Sequence, residues 1–198
     1  TLETQNFTTA TDSFNTAVGF EAGLAVTTGV QNTLIGALSG DALNTGTLNV
    51  ALGYGSLSTD TKGNRSTALG RNTLATQNFS TATTTYNVAV GFSAGAAVTT
   101  GVNNTLIGSL AGDAMTDADE NVAVGLASLG TNVLGSSSTA IGTYALAAQN
   151  PATATIMYNV AVGHTAGGAV TTGANNTLIG GLSGDALTTG AGNVAVGT

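Results

Sequence analysis

The sequence predicts an all-β solenoid, a parallel β-roll in which short coils stack along one axis. Three observations point there. A five-residue word, Asn49-Val50-Ala51-Leu52-Gly53 in one copy, occurs eleven times with small changes. A fixed short period is the mark of a repeat architecture. The residues between copies are Gly, Thr, Asn, Ala and Ser, which favour strands and turns, and apolar residues show no helical spacing. Glycine supplies 29 of the 198 residues and charged residues only 7%, against roughly 7% glycine and roughly 25% charge in ordinary soluble domains.

Copies begin at Asn15, Asn32, Asn49, Ser66, Asn87, Asn104, Asn121, Ser138, Asn159, Asn176 and Asn193. Starts are 17 residues apart, except for steps of 21 after Ser66 and after Ser138. Three coils of 17 and one of 21 make a super-repeat of 72. Thr1 to Phe14, TLETQNFTTATDSF, returns as TLATQNFSTATTTY at Thr73 to Tyr86 and as ALAAQNPATATIMY at Ala145 to Tyr158. The chain is therefore one repeat domain of eleven coils, in super-repeats of about 1–72, 73–144 and 145–198. Opening at Thr1 and stopping just past a repeat glycine, it reads as a segment of a longer fibre.

Each coil is expected to hold a core strand ending at Gly, a turn, a second short strand and a return turn. In the first coil the second strand falls near Ala22 to Val26 and the return turn at Thr27 to Gln31. Within the core strand, position three faces opposite to positions two and four. Both faces are apolar, so both should be buried. One looks into the coil; the other needs a second surface, most economically another copy of the chain. Val50, Leu52, Leu34, Leu106 and Leu178 are the candidate residues of this interchain core. The last three are bulky third-position residues recurring once per super-repeat, and they are expected to set register between identical chains. The leading Asn side chains should form a ladder at about 4.8 Å spacing, giving a rod of roughly 50 Å.

The copies follow N/S-[VT]-[AL]-[VLI]-G-x-x-[AST]. Ser138-Thr139-Ala140-Ile141-Gly142 and Ser66-Thr67-Ala68-Leu69-Gly70 come nearest to an SVAIG form. This resembles the head repeats of YadA-like trimeric autotransporter adhesins, and it is similar to NTAVG-type arrays in phage tail fibres. The resemblance covers essentially the whole chain. It implies a left-handed parallel β-roll, a homotrimeric fibre and a structural, adhesive, non-catalytic role. The 17- and 21-residue coils depart from the family's usual repeat of about 14 to 16, and no neck, stalk or anchor lies in these residues. The 72-residue period and low charge favour a virion tail fibre that attaches to a host. The alternative is a bacterial adhesin head at the cell surface.

Residue chemistry narrows the remaining classes. Lys62, Arg65 and Arg71 are the only basic residues, too few to track phosphates, so no nucleic-acid partner is expected. No apolar run has the length of a transmembrane helix, so no membrane insertion is expected within this segment. The single His164 has Phe92 and Phe20 as its counterparts 72 and 144 residues earlier. No Ser-His-Asp set is built on such a position, and no cofactor is expected. Without Cys or a second His, a transition-metal site is not expected either. Asp41, Asp113 and Asp185 recur in register and are weak Ca²⁺ candidates, read first as solvated turns. Asp117, Asp119 and Glu120 read as a local charged turn.

The 21-residue coils are the expected recognition surface, because their four extra residues leave the roll as a loop. Gln77, Asn78, Phe79 and Tyr86 are the candidates there, combining amides and rings to meet a host-surface receptor, glycan or protein. In the plainer reading, preferred from the sequence, Phe14, Tyr86 and Tyr158 only pack the loop onto the roll. Ice binding is a third functional class, set aside because Val-Thr-Thr returns only every fourth coil.

Overall fold

The computed structural model describes all residues from Thr1 to Thr198. It contains strands and turns and no helix. The strands are β1 (Thr16–Val18), β2 (Thr33–Ile35), β3 (Val50–Leu52), β4 (Gly63–Asn64), β5 (Thr67–Leu69), β6 (Thr83–Thr84), β7 (Val88–Val90) and β8 (Thr105–Ile107). They continue as β9 (Val122–Val124), β10 (Gly135–Ser136), β11 (Thr139–Ile141), β12 (Thr155–Ile156), β13 (Val160–Val162), β14 (Thr177–Ile179) and β15 (Val194–Val196). Eleven of them, one from each copy of the repeated word, form a single parallel sheet in chain order. Paired residues stand 17 apart, as in Thr16 with Thr33, and 21 apart where Thr67 meets Val88 and Thr139 meets Val160. The extra residues add two small parallel sheets, β4 with β6 and β10 with β12.

The expected second strand does not form. Residues 20–25 are turn, because Gly19, Glu21 and Gly23 all have positive φ and the chain folds through two successive tight turns. These close with Ala22 N–H donating to Gly19 O (3.4 Å) and Val26 N–H donating to Gly23 O (3.2 Å). Coil-to-coil bonding survives in the turns, as Gly23 N–H donates to Ser39 O (3.0 Å) and Ala25 N–H to Asp41 O (2.9 Å). Positive φ at alternate residues makes a backbone that no strand can follow.

The interior lies within one chain. The middle residue of each three-residue strand points inward. Ala51, Ala68, Ala89, Ala123, Ala140 and Ala161 join Leu34, Leu106 and Leu178 in one core cluster. This corrects the assignment of Leu34, Leu106 and Leu178 to an interchain layer. With a side-chain period of two, they cannot share a face with Val50 and Leu52, which are 37% and 47% exposed and point outward.

The recurrence of those leucines has an internal cause. A Cβ added at Gly23 or Gly40 would come within 2.8 Å of the Leu34 side chain. Gly95 and Gly112 stand in the same relation to Leu106, and Gly167 and Gly184 to Leu178. In the coils whose strand carries Ala51 or Ala68, the equivalent turn position holds Leu57 or Leu74 instead, both fully buried. Bulk moves between strand and turn while the filled volume stays nearly constant, as close packing requires.

The glycine that ends each strand is required by contact as well as conformation. At Gly108 φ is +133°, and a Cβ would lie 2.5 Å from the Gly125 carbonyl oxygen of the next coil. Gly108→Ala is expected to lower stability by about 3 kcal/mol or more, adding that clash to the strain of a disfavoured backbone. Gly181→Ala, where a Cβ meets nothing within 4 Å, should change it by less than about 0.5 kcal/mol. Urea unfolding of the two variants measures the contrast.

Candidate functional site

The leading Asn residues form the expected ladder, and it is buried. Asn32 donates its backbone N–H (2.8 Å) and Nδ2–H (3.2 Å) to Asn15 Oδ1, and a second Nδ2–H to Gly46 O at the far end of its own coil (2.9 Å). Asn49 repeats this toward Asn32 and Gly63, Asn121 toward Asn104 and Gly135, and Asn176 toward Asn159 and Gly190. Each amide therefore ties one coil to the next and closes its own loop.

At the 21-residue coils the ladder is spliced by a different network, which was not anticipated. Ser66 replaces Asn, and Gln77 occupies the vacated space. Gln77 Nε2 donates to Asp60 Oδ2 (2.6 Å) and Ser66 Oγ (2.9 Å), while its Oε1 accepts from Asn87 Nδ2 (2.8 Å). Asp60 also accepts from the Gly63 N–H (2.9 Å). Four coils later Gln149 Oε1 accepts from the Ser138 hydroxyl (3.2 Å) and from Asn159 Nδ2 (2.9 Å), but Asn132, in place of Asp60, bonds only to Gly135, and Gln149 Nε2 is buried without a partner. The signal was in the sequence, since Gln5, Gln77 and Gln149 stand 72 residues apart, as do Asp60 and Asn132.

This placement corrects two of the receptor-loop candidates. Gln77 is fully buried and Phe79 is 6% exposed, so neither side chain meets a ligand from solvent. Asn78 is exposed, and its Oδ1 accepts from the Thr61 hydroxyl (3.0 Å). Tyr86 is 53% exposed beside Arg65. The rings of Phe14, Tyr86 and Tyr158, read as only packing the loop onto the roll, are each more than half exposed. Each occupies the position before a leading Asn, where φ is about +50°.

Asp41, Asp113 and Asp185 sit on turns and are not brought together. No group of three acidic or His side chains converges as a metal site. Partial burial raises the pKa of Asp41 and Asp113, and Glu21 pushes Asp41 further the same way. Asp119 is raised by burial and by its neighbours Asp117 and Glu120, while the hydrogen bond it accepts from Val102 N–H opposes the shift. His164 is exposed, with the Thr165 hydroxyl 3.1 Å from its Nδ1. A shallow groove of about 280 Å³ lies over Leu110, Asp113, Thr131 and Tyr144.

The most extensive surface feature is the outer face of the eleven-stranded sheet. Val18, Leu52, Ile107, Ile141, Ile179 and Val196 form its exposed aliphatic column. The first residue of each strand in this sheet adds Thr or Val on the same face.

Burial raises the Asp60 pKa, against the hydrogen bonds from Gln77, Gly63 and Lys62 that favour the carboxylate. The native state then holds a proton that the unfolded chain has already released. This group's contribution is most favourable below the ordinary carboxylate range and is lost as pH rises through the raised value. Asp60→Asn, copying the natural Asn132, should be at least as stable at neutral pH and lose this component. Urea unfolding from about pH 3 to 8 tests it through the difference from the unaltered chain. Gln77→Ala strips partners from three buried groups and should cost on the order of 3 kcal/mol.

Comparison with known protein families, with curated proteins and with solved structures gives no match to this chain.

Proposed function

We propose that the chain is a structural, non-catalytic segment of a homotrimeric fibre, wound as a left-handed β-roll and used for attachment to a host surface. The outward face of the sheet carries this reading. The last residue of every strand in the sheet, from Val18 to Val196, is an aliphatic side chain left exposed or half-buried on this face. Contiguous apolar surface of that extent marks an interaction site. Another copy of the chain presents the same length and the same coil spacing, so it covers the face without mismatch. Closed cyclic symmetry limits such an assembly to a rod of fixed thickness.

Within that rod the exposed loops and ring-bearing corners are the surfaces free to meet a receptor, glycan or protein. A virion tail fibre is the setting we favour. A bacterial adhesin head has the same architecture and rests on the same observation. Light scattering should give three times the chain mass of 19.1 kDa, and a monomer would overturn the reading. Ile107→Asp, on the outer face, should shift the protein toward monomer while its far-ultraviolet spectrum is kept. Ser80→Asp, in the exposed part of a 21-residue coil, should leave the mass unchanged.

A further inference from the structure

All three cations of the chain fall within ten residues, at Lys62, Arg65 and Arg71, against ten acidic residues spread over its length. The two arginines flank β5, one before and one after the strand, and both are exposed. Neither has a carboxylate partner. The one ion pair in the chain joins the N-terminal ammonium to Glu3 (3.9 Å).

Aromatic rings lie beside both guanidinium groups. The Arg71 guanidinium carbon is 5.6 Å from the Tyr54 ring centre and 5.7 Å from that of Phe92, one coil to either side. Arg65 lies 5.8 Å from the ring centre of Tyr86 and donates from Nη1 to its hydroxyl (3.4 Å). Lys62 is tethered through Nζ to Ser80 O (3.0 Å). Tyr54, Tyr86 and Phe92 are each about half exposed. A guanidinium has five N–H donors, so one resting beside a ring keeps donors free for a carboxylate or sulfate. Weak ring contacts at exposed sites bias both arginines toward this surface before an anion arrives.

We infer that this surface binds an anionic polysaccharide, its acid groups on Arg65 and Arg71 and its sugar faces on the adjoining rings. The two arginines are six residues apart, a span of up to roughly 20 Å along extended chain. That spacing fits a polymer with separated charges. Duplex nucleic acid, with one charge per about 1.7 Å, would meet three cations on a surface otherwise negative. An acidic peptide offers the charge without the flat faces that three exposed rings would cover. Screening over about 8 Å at physiological salt lets the patch act despite the chain's net charge of −7. All six side chains belong to one chain. The inference rests on the attachment reading for its biological setting, not on trimer assembly.

Calorimetric titration with an oligogalacturonate, a heparin oligosaccharide, a neutral dextran oligosaccharide and a poly-glutamate peptide tests it. At least one of the two acidic sugars should bind, more weakly as salt rises above about 0.15 M, and the dextran should not. The Arg65→Gln/Arg71→Gln double variant should bind at least tenfold more weakly, with melting temperature and scattering mass unchanged. Arg71→Lys, which keeps charge and loses the forked guanidinium, should fall between. Equal binding by the double variant, or no binding of either acidic sugar, overturns the inference. Equal or tighter binding of poly-glutamate overturns the choice of polysaccharide. A trimer that binds neither sugar leaves the fibre reading standing while this one fails.

Discussion

The buried amide ladder is the constraint on which the rest of the fold depends. A three-residue strand offers few backbone hydrogen bonds, and no coil buries enough to stand alone. The leading Asn supplies what the strand lacks. Its Oδ1 takes two donors from the coil above, and its Nδ2 reaches the carbonyl at the end of its own loop. Coil closure and coil stacking are thereby the same interaction. The residue before each Asn turns through positive φ, as at Gln31, Leu48 and Glu120, and its amide bonds down the stack, as from Leu48 N–H to Val30 O (3.1 Å). Non-glycine residues accept that conformation at a cost of roughly 1–2 kcal/mol each. The stack returns a bonded amide in exchange.

The 72-residue period follows from how the interior is filled. The residue seven past each strand glycine runs Val26, Leu43, Asp60, Gln77, then Val98, Met115, Asn132, Gln149. Two apolar coils alternate with two polar ones. The polar pair coincides with Ser66 and Ser138, where the ladder loses its Asn and Gln77 or Gln149 bridges the gap. Buried polar groups favour pairing, and it is complete around Gln77, whereas Gln149 Nε2 is left without a partner. The network's recurrence in the same coils as the four-residue insertions indicates that loop and network form one unit.

The outside divides into two kinds of surface. The sheet face is aliphatic and suits another copy of the chain. The flanking corners carry rings and, on either side of β5 alone, guanidinium groups without a carboxylate partner. In the proposed fibre, assembly and recognition fall to neighbouring but separate side chains. Substitutions can distinguish them, because Ile107 belongs to the first set and Arg71 to the second.

Much of this was legible in the residues. The word recurring at fixed spacing determined a parallel stack of short strands, and the leading Asn in that word determined a ladder. The spacing also located the longer coils. Two kinds of decision needed the tertiary structure. Alternation alone implies an inner and an outer face but not which is which, so Leu34 and Leu52 were placed together although they point in opposite directions. Residue type alone did not separate exposed from buried polar groups. Gln77 looks like a loop residue until the missing Asn at Ser66 opens the space it fills. The sequence by itself determined the repeat, the register and the strand. Only the fold decided which side of each strand is inside, because burial depends on what the next turn of the chain leaves vacant.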